Sequence, residues 1–415
     1  MAEELRWVSA TGSQAGLSTP VLARRKTRER LTWSAALIAT AIIALLGGWL
    51  IPRRVEMPSY SFTIPSSGGD YRNAWGGWVS PDGTKVVFRA LNADRKSQLW
   101  TRSLDGLDVK PIPGTEWPVW FLAWSPDSKY LAVHREQKVM KIPAAGGPAE
   151  PIAEVPEAYG GGHWNRDGDI LLEISEAPLG RIAPGSRTVE LITTLDKTKH
   201  EIGHVHPEFL PDGRRFLFIA ITRDPTRADH SHRLYAGSLD SKETRFLGEI
   251  SSVVRYVEPG LLLAVRDGTL LAYPFDVRKL KITGDPFKVA DDVYYFKPTG
   301  HASFSASGNG VLVTQGVGAG LRLYWLTAEG EPASPIGPAA SYDPMRISPD
   351  GKSLAVGIMD TKVGTADIWI RGLDRETSRR LTFEASFEGN PVWSPDGARL
   401  YYAADRTGFP TSIRE

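Results

Sequence analysis

The sequence predicts an all-β protein, a propeller of about seven or eight four-stranded blades whose last is incomplete, preceded by a single membrane-spanning helix. Three observations carry this expectation. A turn signature recurs along most of the chain. Strand-like apolar runs flank each copy. One uncharged apolar stretch stands near the N-terminus.

The size of the chain comes first. Its 415 residues are too many for one compact core unless the architecture repeats. Thirteen Trp, 41 Gly and 30 Pro favour short strands and many turns over long helices. The formal net charge of +1 gives no global bias toward nucleic acid, and no nucleic-acid partner is expected. Cysteine is absent, which excludes disulfides, thiol catalysis and Cys-ligated zinc.

Residues 31–51 read LTWSAALIATAIIALLGGWLI, without a charge. As a helix rising ~1.5 Å per residue, such a run spans about the hydrocarbon thickness of a bilayer. Trp33 and Trp49 sit near its two ends, where indoles prefer the interface. Arg24, Arg25, Lys26, Arg28 and Arg30 precede it, and only Arg53 and Arg54 follow closely. The positive-inside bias then places the N-terminus in the cytoplasm and the rest outside the inner membrane. A cleaved signal peptide is the rival. Its apolar region is usually shorter and ends in small residues, whereas this one ends in Trp49, Leu50, Ile51 and Pro52. The expected organisation is a basic juxtamembrane segment 1–30, a helix 31–51, a linker 52–59 and a propeller 60–415.

The repeat is an aromatic or apolar residue, then Ser-Pro-Asp-Gly or a variant, then an apolar strand. Copies begin at Trp78, Trp124, Trp164, Phe209, Phe304, Ile347 and Trp393, and a degenerate copy at Glu258-Pro259-Gly260 completes eight. Pro presets φ for the first turn position, Asp bonds nearby backbone amides and Gly accepts positive φ. A third strand follows in each unit, as in LWTRSLDG at 99–106 and IWIRGLDR at 368–375. Units of about 45 residues with this pattern have the size of a propeller blade. The eighth unit stops early, so a fragment of a longer chain is expected, or else pairing of residues 60–64 beside the last blade.

These WSPDG units resemble the TolB-like, WD-type β-propeller repeat. The order of basic segment, helix and repeats resembles the membrane-anchored, receptor-type bacterial Ser/Thr protein kinases. The resemblance implies an outer sensor region with a protein or small-molecule ligand at the propeller face. The chain itself carries no phosphate-binding Gly-rich loop, catalytic-loop Asp or DFG segment. No kinase activity of its own and no cofactor is therefore expected.

Two sets of candidate site residues follow. The first is a shared offset, three residues before the leading residue of a turn: Trp75, Phe121, Gly161, His206, His301, Pro344 and Asn390. Period-2 alternation in the innermost strand would cluster them at the channel mouth as ligand contacts. The second is a histidine set, His200, His204, His206, His230 and His232, on two connections that return to one face. His200-Glu201-Ile202-Gly203-His204 matches HExxH, but zinc chemistry needs that motif on a helix, and Gly203 and Pro207 argue against one. An extracytoplasmic metal-dependent hydrolase built on these histidines, or a TolB-like envelope assembly protein, is the alternative to a non-catalytic sensor. Gly160-Gly161-Gly162 is expected to allow close backbone approach.

Overall fold

The computed structural model describes Trp33, Ser34, Leu37, Thr40 and residues 63–65, 72–223, 231–316, 321–329, 331–360, 363–375, 377–384, 387–405 and 412–414. The chain divides into Met1–Ile64 and Pro65–Glu415. In the first unit Trp33, Ser34, Leu37 and Thr40 are helical and exposed. Most of the expected span at 31–51 lies outside the described residues. Among the described residues no helix is long and apolar enough to cross a membrane. The expected strand at 60–64 also falls largely outside them, and Thr63 and Ile64 carry no strand.

The second part is all-β, built from blades. The first blade has β1 (Arg72–Val79), β2 (Lys85–Leu91), β3 (Ser97–Ser103) and β4 (Val109–Pro111), paired in chain order. The second has β5 (Leu122–Trp124), β6 (Tyr130–Arg135), β7 (Lys138–Pro143) and β8 (Glu150–Glu154). The third has β9 (Tyr159–Trp164), β10 (Ile170–Glu173), β11 (Gly180–Ile182) and β12 (Glu190–Leu191). The fourth has β13 (Glu201–Phe209), β14 (Arg215–Thr222), β15 (Ser231–Ser238) and β16 (Ser241–Glu249). In the fifth, β17 (Arg255–Val257), β18 (Leu261–Arg266), β19 (Thr269–Asp276), β20 (Lys281–Ile282) and β21 (Phe287–Ala290) make one sheet. Its degenerate Glu258-Pro259-Gly260 is the turn between β17 and β18. After the short pair β22 (Tyr295–Phe296) and β23 (His301–Ala302), the sixth blade contributes β24 (Phe304–Ala306) and β25 (Leu312–Thr314).

The turn residues act locally and between blades. Ser80 Oγ donates to Asp82 Oδ1 at 2.6 Å, and the Gly83 N–H donates to the Ser80 carbonyl at 2.8 Å. The next blade repeats the first bond, Ser125 to Asp127, also at 2.6 Å. The Asp82 N–H then donates to Ser128 Oγ at 3.1 Å, joining the first turn to the second. The Trp124 indole N–H donates to the Trp78 carbonyl at 3.1 Å, so the recurring aromatic spans two blades. Apolar residues fill each space between blades. Val87, Leu99, Leu122 and Leu131 lie between the first and second, and Phe121, Ala132, Ile170 and Leu172 between the second and third. Each large side chain removed from water there contributes roughly 1.5–3 kcal/mol.

The sixth blade closes on the first. Its strands β24 and β25 contact β1. The Val79 N–H donates to Ser305 Oγ at 3.0 Å, and Asn309 Nδ2 donates to the Asp82 carbonyl at 2.7 Å. The latter joins turns of neighbouring blades, as Asn165 Nδ2 does to the Gly213 carbonyl at 2.7 Å. A ring of seven or eight blades is thus corrected to one of six. Repeat counting finds the units but not their neighbours. Here the seam is set by Ser305 and Asn309, which offer the partners that β1 and its turn require. The last two repeats form their own sheet, running from β26 (Leu321–Leu326) to β33 (Ser412–Arg414). Within it the Trp393 indole donates to the Arg346 carbonyl at 3.0 Å, repeating the Trp124 bond.

Gly162 shows why a glycine run opens the third blade. A Cβ there would lie 2.3 Å from the Phe121 ring and 2.6 Å from the Leu171 carbonyl oxygen. Backbone cannot yield as a flexible side chain does. Gly162→Ala is therefore expected to destabilise the ring by about 1–3 kcal/mol. Gly308→Ala, at a position with open space around it, is expected to change stability by less than about 0.5 kcal/mol. Paired chemical denaturation of the two variants checks this. Equal midpoints would show that the close approach is not required.

Candidate functional site

First strands of successive blades face one another around the ring's axis, and β5 and β9 pair in parallel, Leu122 opposite Gly161. These strands are irregular. Register shifts interrupt β1 between Arg72 and Trp78, the β9–β10 pair between Leu171 and Glu173, and β13 between Val205 and Glu208. A bulge re-aims the side chains beside it. His206 lies at the third of these, with φ 54, a left-handed conformation uncommon for a residue other than glycine. Its neighbour on the strand, His204, takes another course. The His204 ring is buried against Phe218, with Nδ1 2.7 Å from Thr193 Oγ1 and Nε2 3.2 Å from Glu201 Oε2.

His206 turns to the axis. Its Nε2 is 3.1 Å from the Thr299 carbonyl oxygen, so that nitrogen carries the proton and donates. Its Nδ1 is 3.6 Å from Glu173 Oε2. The His301 ring stands 6.3 Å from that of His206 and stacks on Trp75 at 5.8 Å with an interplanar angle of 27°. Across the site Arg255 Nη1 donates to Glu208 Oε2 at 3.0 Å, and His163 Nδ1 lies 3.3 Å from the same oxygen. Arg89 lies 4.3 Å over the Trp75 ring and 4.7 Å over that of Trp120.

Burial sets the charges. Removal from water pushes the Glu173 carboxyl up to about 8, against which a hydrogen bond from the His206 N–H works only weakly. Glu173 is thus mostly a neutral acid near pH 7. Burial pulls His206 down to about 3, helped by the neighbouring His301, and pulls His301 down to about 4, helped by Arg255 and Arg89. Both imidazoles are neutral. For Glu208, burial alone would raise the carboxyl, but His163 and Arg255 hold it below its usual range. One carboxyl is a donor, the other a paired anion, and neighbours rather than residue type decide which.

The expected site residues are divided by the structure. Trp75, His206 and His301 come together, and Gly161 lies beside Arg255, whose Nη2 a Cβ there would meet at 3.4 Å. Phe121 does not line the channel. It is fully buried between the second and third blades. Its neighbour Trp120 is the exposed one, at 57 %. Asn390 repeats the left-handed turn of His206 with φ 52, but it lies on β31 (Phe387–Trp393) in the C-terminal sheet rather than on a strand of the six-bladed ring.

The structure brings together part of the histidine set, since His232 lies near enough to His206 to help hold it below its usual range. His200 ends a short 3-10 turn, Lys197–Lys199, in a left-handed conformation and is exposed. His204 is buried behind the channel, His232 is buried beside Gly300, and His230 lies outside the described residues. The HExxH stretch runs from that turn into β13, so its two histidines do not share a helix face. Among the described residues no group of three or more His, Asp or Glu stands ready to hold a metal ion. Arg89, Trp120, His163, Glu173, Glu208 and Arg255 were outside the expected set. His163 alone carried a visible signal, since it adjoins Trp164 and follows the glycine run.

No protein-family model matches this chain. Several solved structures are similar to it at low identity. A protein from Agrobacterium tumefaciens described as TolB is 13% identical, covering 72% of this chain and 73% of that one, with a TM-score of 0.30. The β-propeller domain of Cps50 (Swd1) from Myceliophteria thermophila is 14% identical over 81% of this chain and 95% of its own, with a TM-score of 0.37. Hydrazine synthase from Kuenenia stuttgartiensis is 13% identical over 86% and 99%, with a TM-score of 0.35. Overlaps this loose leave the fold to be read from the chain's own sheets.

The channel groups predict how stability depends on pH. His206 and His301 take up protons in the unfolded chain near pH 6.5 but in the folded one only near 3 and 4. Their contribution is present above pH 6.5 and is lost as pH falls toward 4. Glu173 works the other way. Its folded form holds a proton up to about pH 8 and its unfolded form only to 4.5, so its contribution is lost as pH rises through that window. Two groups oppose one below pH 6.5, and Glu173 acts alone above it. Stability from these groups is therefore greatest near pH 6.5. Thermal midpoints measured from pH 4.5 to 8.5 should show this maximum, and Glu173→Gln should flatten the alkaline side. An alkaline decline unchanged in that variant would remove Glu173 from the account.

Proposed function

We propose that this chain is a membrane-anchored, extracytoplasmic sensor whose six-bladed ring binds a ligand in its channel and performs no catalysis itself. The observation that supports it most is the crowding of Arg89, Arg255, Glu173, Glu208, His206 and His301 around one axis, where apolar residues would keep a ring together more cheaply. Replacing buried ion pairs by apolar residues is often neutral or stabilising, so their presence calls for another reason. A concave site with a few convergent polar groups and perturbed acidities is the usual form of a ligand site. Imidazoles held down near 3 and 4 are poor proton acceptors at neutral pH, which favours binding over acid–base chemistry.

The anchor is supported by the uncharged run 31–51 and by the basic residues on its N-terminal side. The resemblance of this order to receptor-type Ser/Thr kinases supports a role in passing ligand occupancy across the membrane to a kinase domain. Two experiments test the reading. Protease added to spheroplasts should digest residues 65–415 and spare an N-terminal tag, and protection of the ring would sink the topology. A thermal-shift screen of the full chain against small metabolites should yield ligands whose effect disappears in Trp75→Ala and persists in Leu107→Ser, a change at an exposed position on the connection between β3 and β4. Failure to find any such ligand, or ligands indifferent to Trp75, would overturn the binding role.

A further inference from the structure

The two arginines of the channel are not equivalent. Arg255 is matched at 3.0 Å by Glu208. Arg89 has no carboxylate within ion-pair distance among the described residues. It sits on β2 directly opposite Trp75 in the ladder and rests its guanidinium on the faces of Trp75 and Trp120. Among the described residues its guanidinium makes one hydrogen bond, Nη1 to the Val119 carbonyl, at 2.9 Å. Stacking uses the flat faces of a guanidinium and leaves its edge free, and that edge carries five N–H donors in a rigid fork. Burial already pulls Arg89 down to about 10, the mark of a cation short of water and of a counter-charge. Trp120 is 57 % exposed, so the place is open to solvent from one side.

We infer, building on the binding role proposed above, that the channel mouth takes a small organic monocarboxylate with a flat apolar body. Its carboxylate lies on the free edge of Arg89, and its body lies against Trp75, Trp120 and His301. The fork of Arg89 matches a carboxylate with two parallel hydrogen bonds. One unmatched guanidinium calls for one negative charge. A phosphate dianion would bring a second charge toward a channel that already holds the Glu208 carboxylate and offers no other unmatched cation among the described residues. The exposed Trp120 indole, beside the Trp75–His301 stack, gives a planar body a surface to pack on.

The test uses the 415-residue chain and three probes: benzoate, its neutral isostere benzamide, and inorganic phosphate. Titration followed by tryptophan fluorescence and calorimetry should show saturable benzoate binding at least ten-fold tighter than benzamide, with phosphate failing to displace benzoate at equal concentration. Arg89→Gln should weaken benzoate at least ten-fold, with Trp120→Ala weakening it several-fold while preserving the preference for acid over amide. Should Arg89→Gln fail to fold, Arg89→Lys serves instead. It keeps the charge without the fork and should also weaken benzoate measurably. No benzoate binding at millimolar concentration, wild-type affinity in the folded Arg89 variant, or displacement by phosphate would overturn the inference. If benzamide binds as well as benzoate, the channel is a ligand site and only the charge assignment falls. If the metabolite screen also finds nothing that depends on Trp75, the binding role falls with it.

Discussion

Hydrogen bonds across one seam hold the site in being. Val79 donates to Ser305 and Asn309 donates to Asp82, and with them the sixth blade stands beside the first. Trp75 belongs to the first blade and His301 leads into the sixth, so their stack exists only while the seam is closed. The other boundaries are reinforced by continuous chain and by large apolar clusters such as that of Leu217, Leu234, Leu262 and Phe275. The seam also holds the Gly76 N–H donating to Gln315 Oε1 at 2.7 Å. Closure and channel chemistry are one requirement.

The channel's electrical state follows from the depth at which each group sits. Glu173 and Glu208 are the same residue type a few residues apart in space, yet one is neutral and the other an anion. Glu173 meets only a backbone N–H and a neutral imidazole, whereas Glu208 meets Arg255, His163 and the Tyr256 N–H at 3.3 Å. Gly160 belongs to the same arrangement. A Cβ there would stand 2.5 Å from Glu173 Oε2, and its φ of +62 is one that glycine adopts freely. The glycine run therefore makes room both for the core beneath it, at Gly162, and for the acid above it.

Much of the fold was legible in the sequence because its signals are local. Ser, Pro, Asp and Gly specify a turn within four residues, and an aromatic leading the turn can mark a blade boundary, as the Trp124 bond to Trp78 shows. Ring closure is not local, and nothing within one repeat says which repeat lies opposite. The site was legible in part for the same reason. Trp75, His206 and His301 share an offset from their turns and meet in the channel, the first two beside register shifts in their strands. Phe121 departs, packing between the second and third blades instead. Arg89, Glu173, Glu208 and Arg255 could not be read, because they come from second strands or from other offsets and meet only across blade boundaries.

The closed seam has a mechanical consequence. Val79 and Ser305 are 226 residues apart in the chain, and no peptide bond crosses their contact. Long-range closures of this kind slow folding, since chain entropy is lost before the contact rewards it. A ring under tension opens where only side chains and a few amides hold it. That place is also the wall of the mouth, with Trp75 on one bank and His301 on the other. A molecule seated across both banks would act as a clamp on the ring, so occupancy and the resistance of the ring to opening would rise together. A ligand can thus change how readily the ring opens without changing its shape.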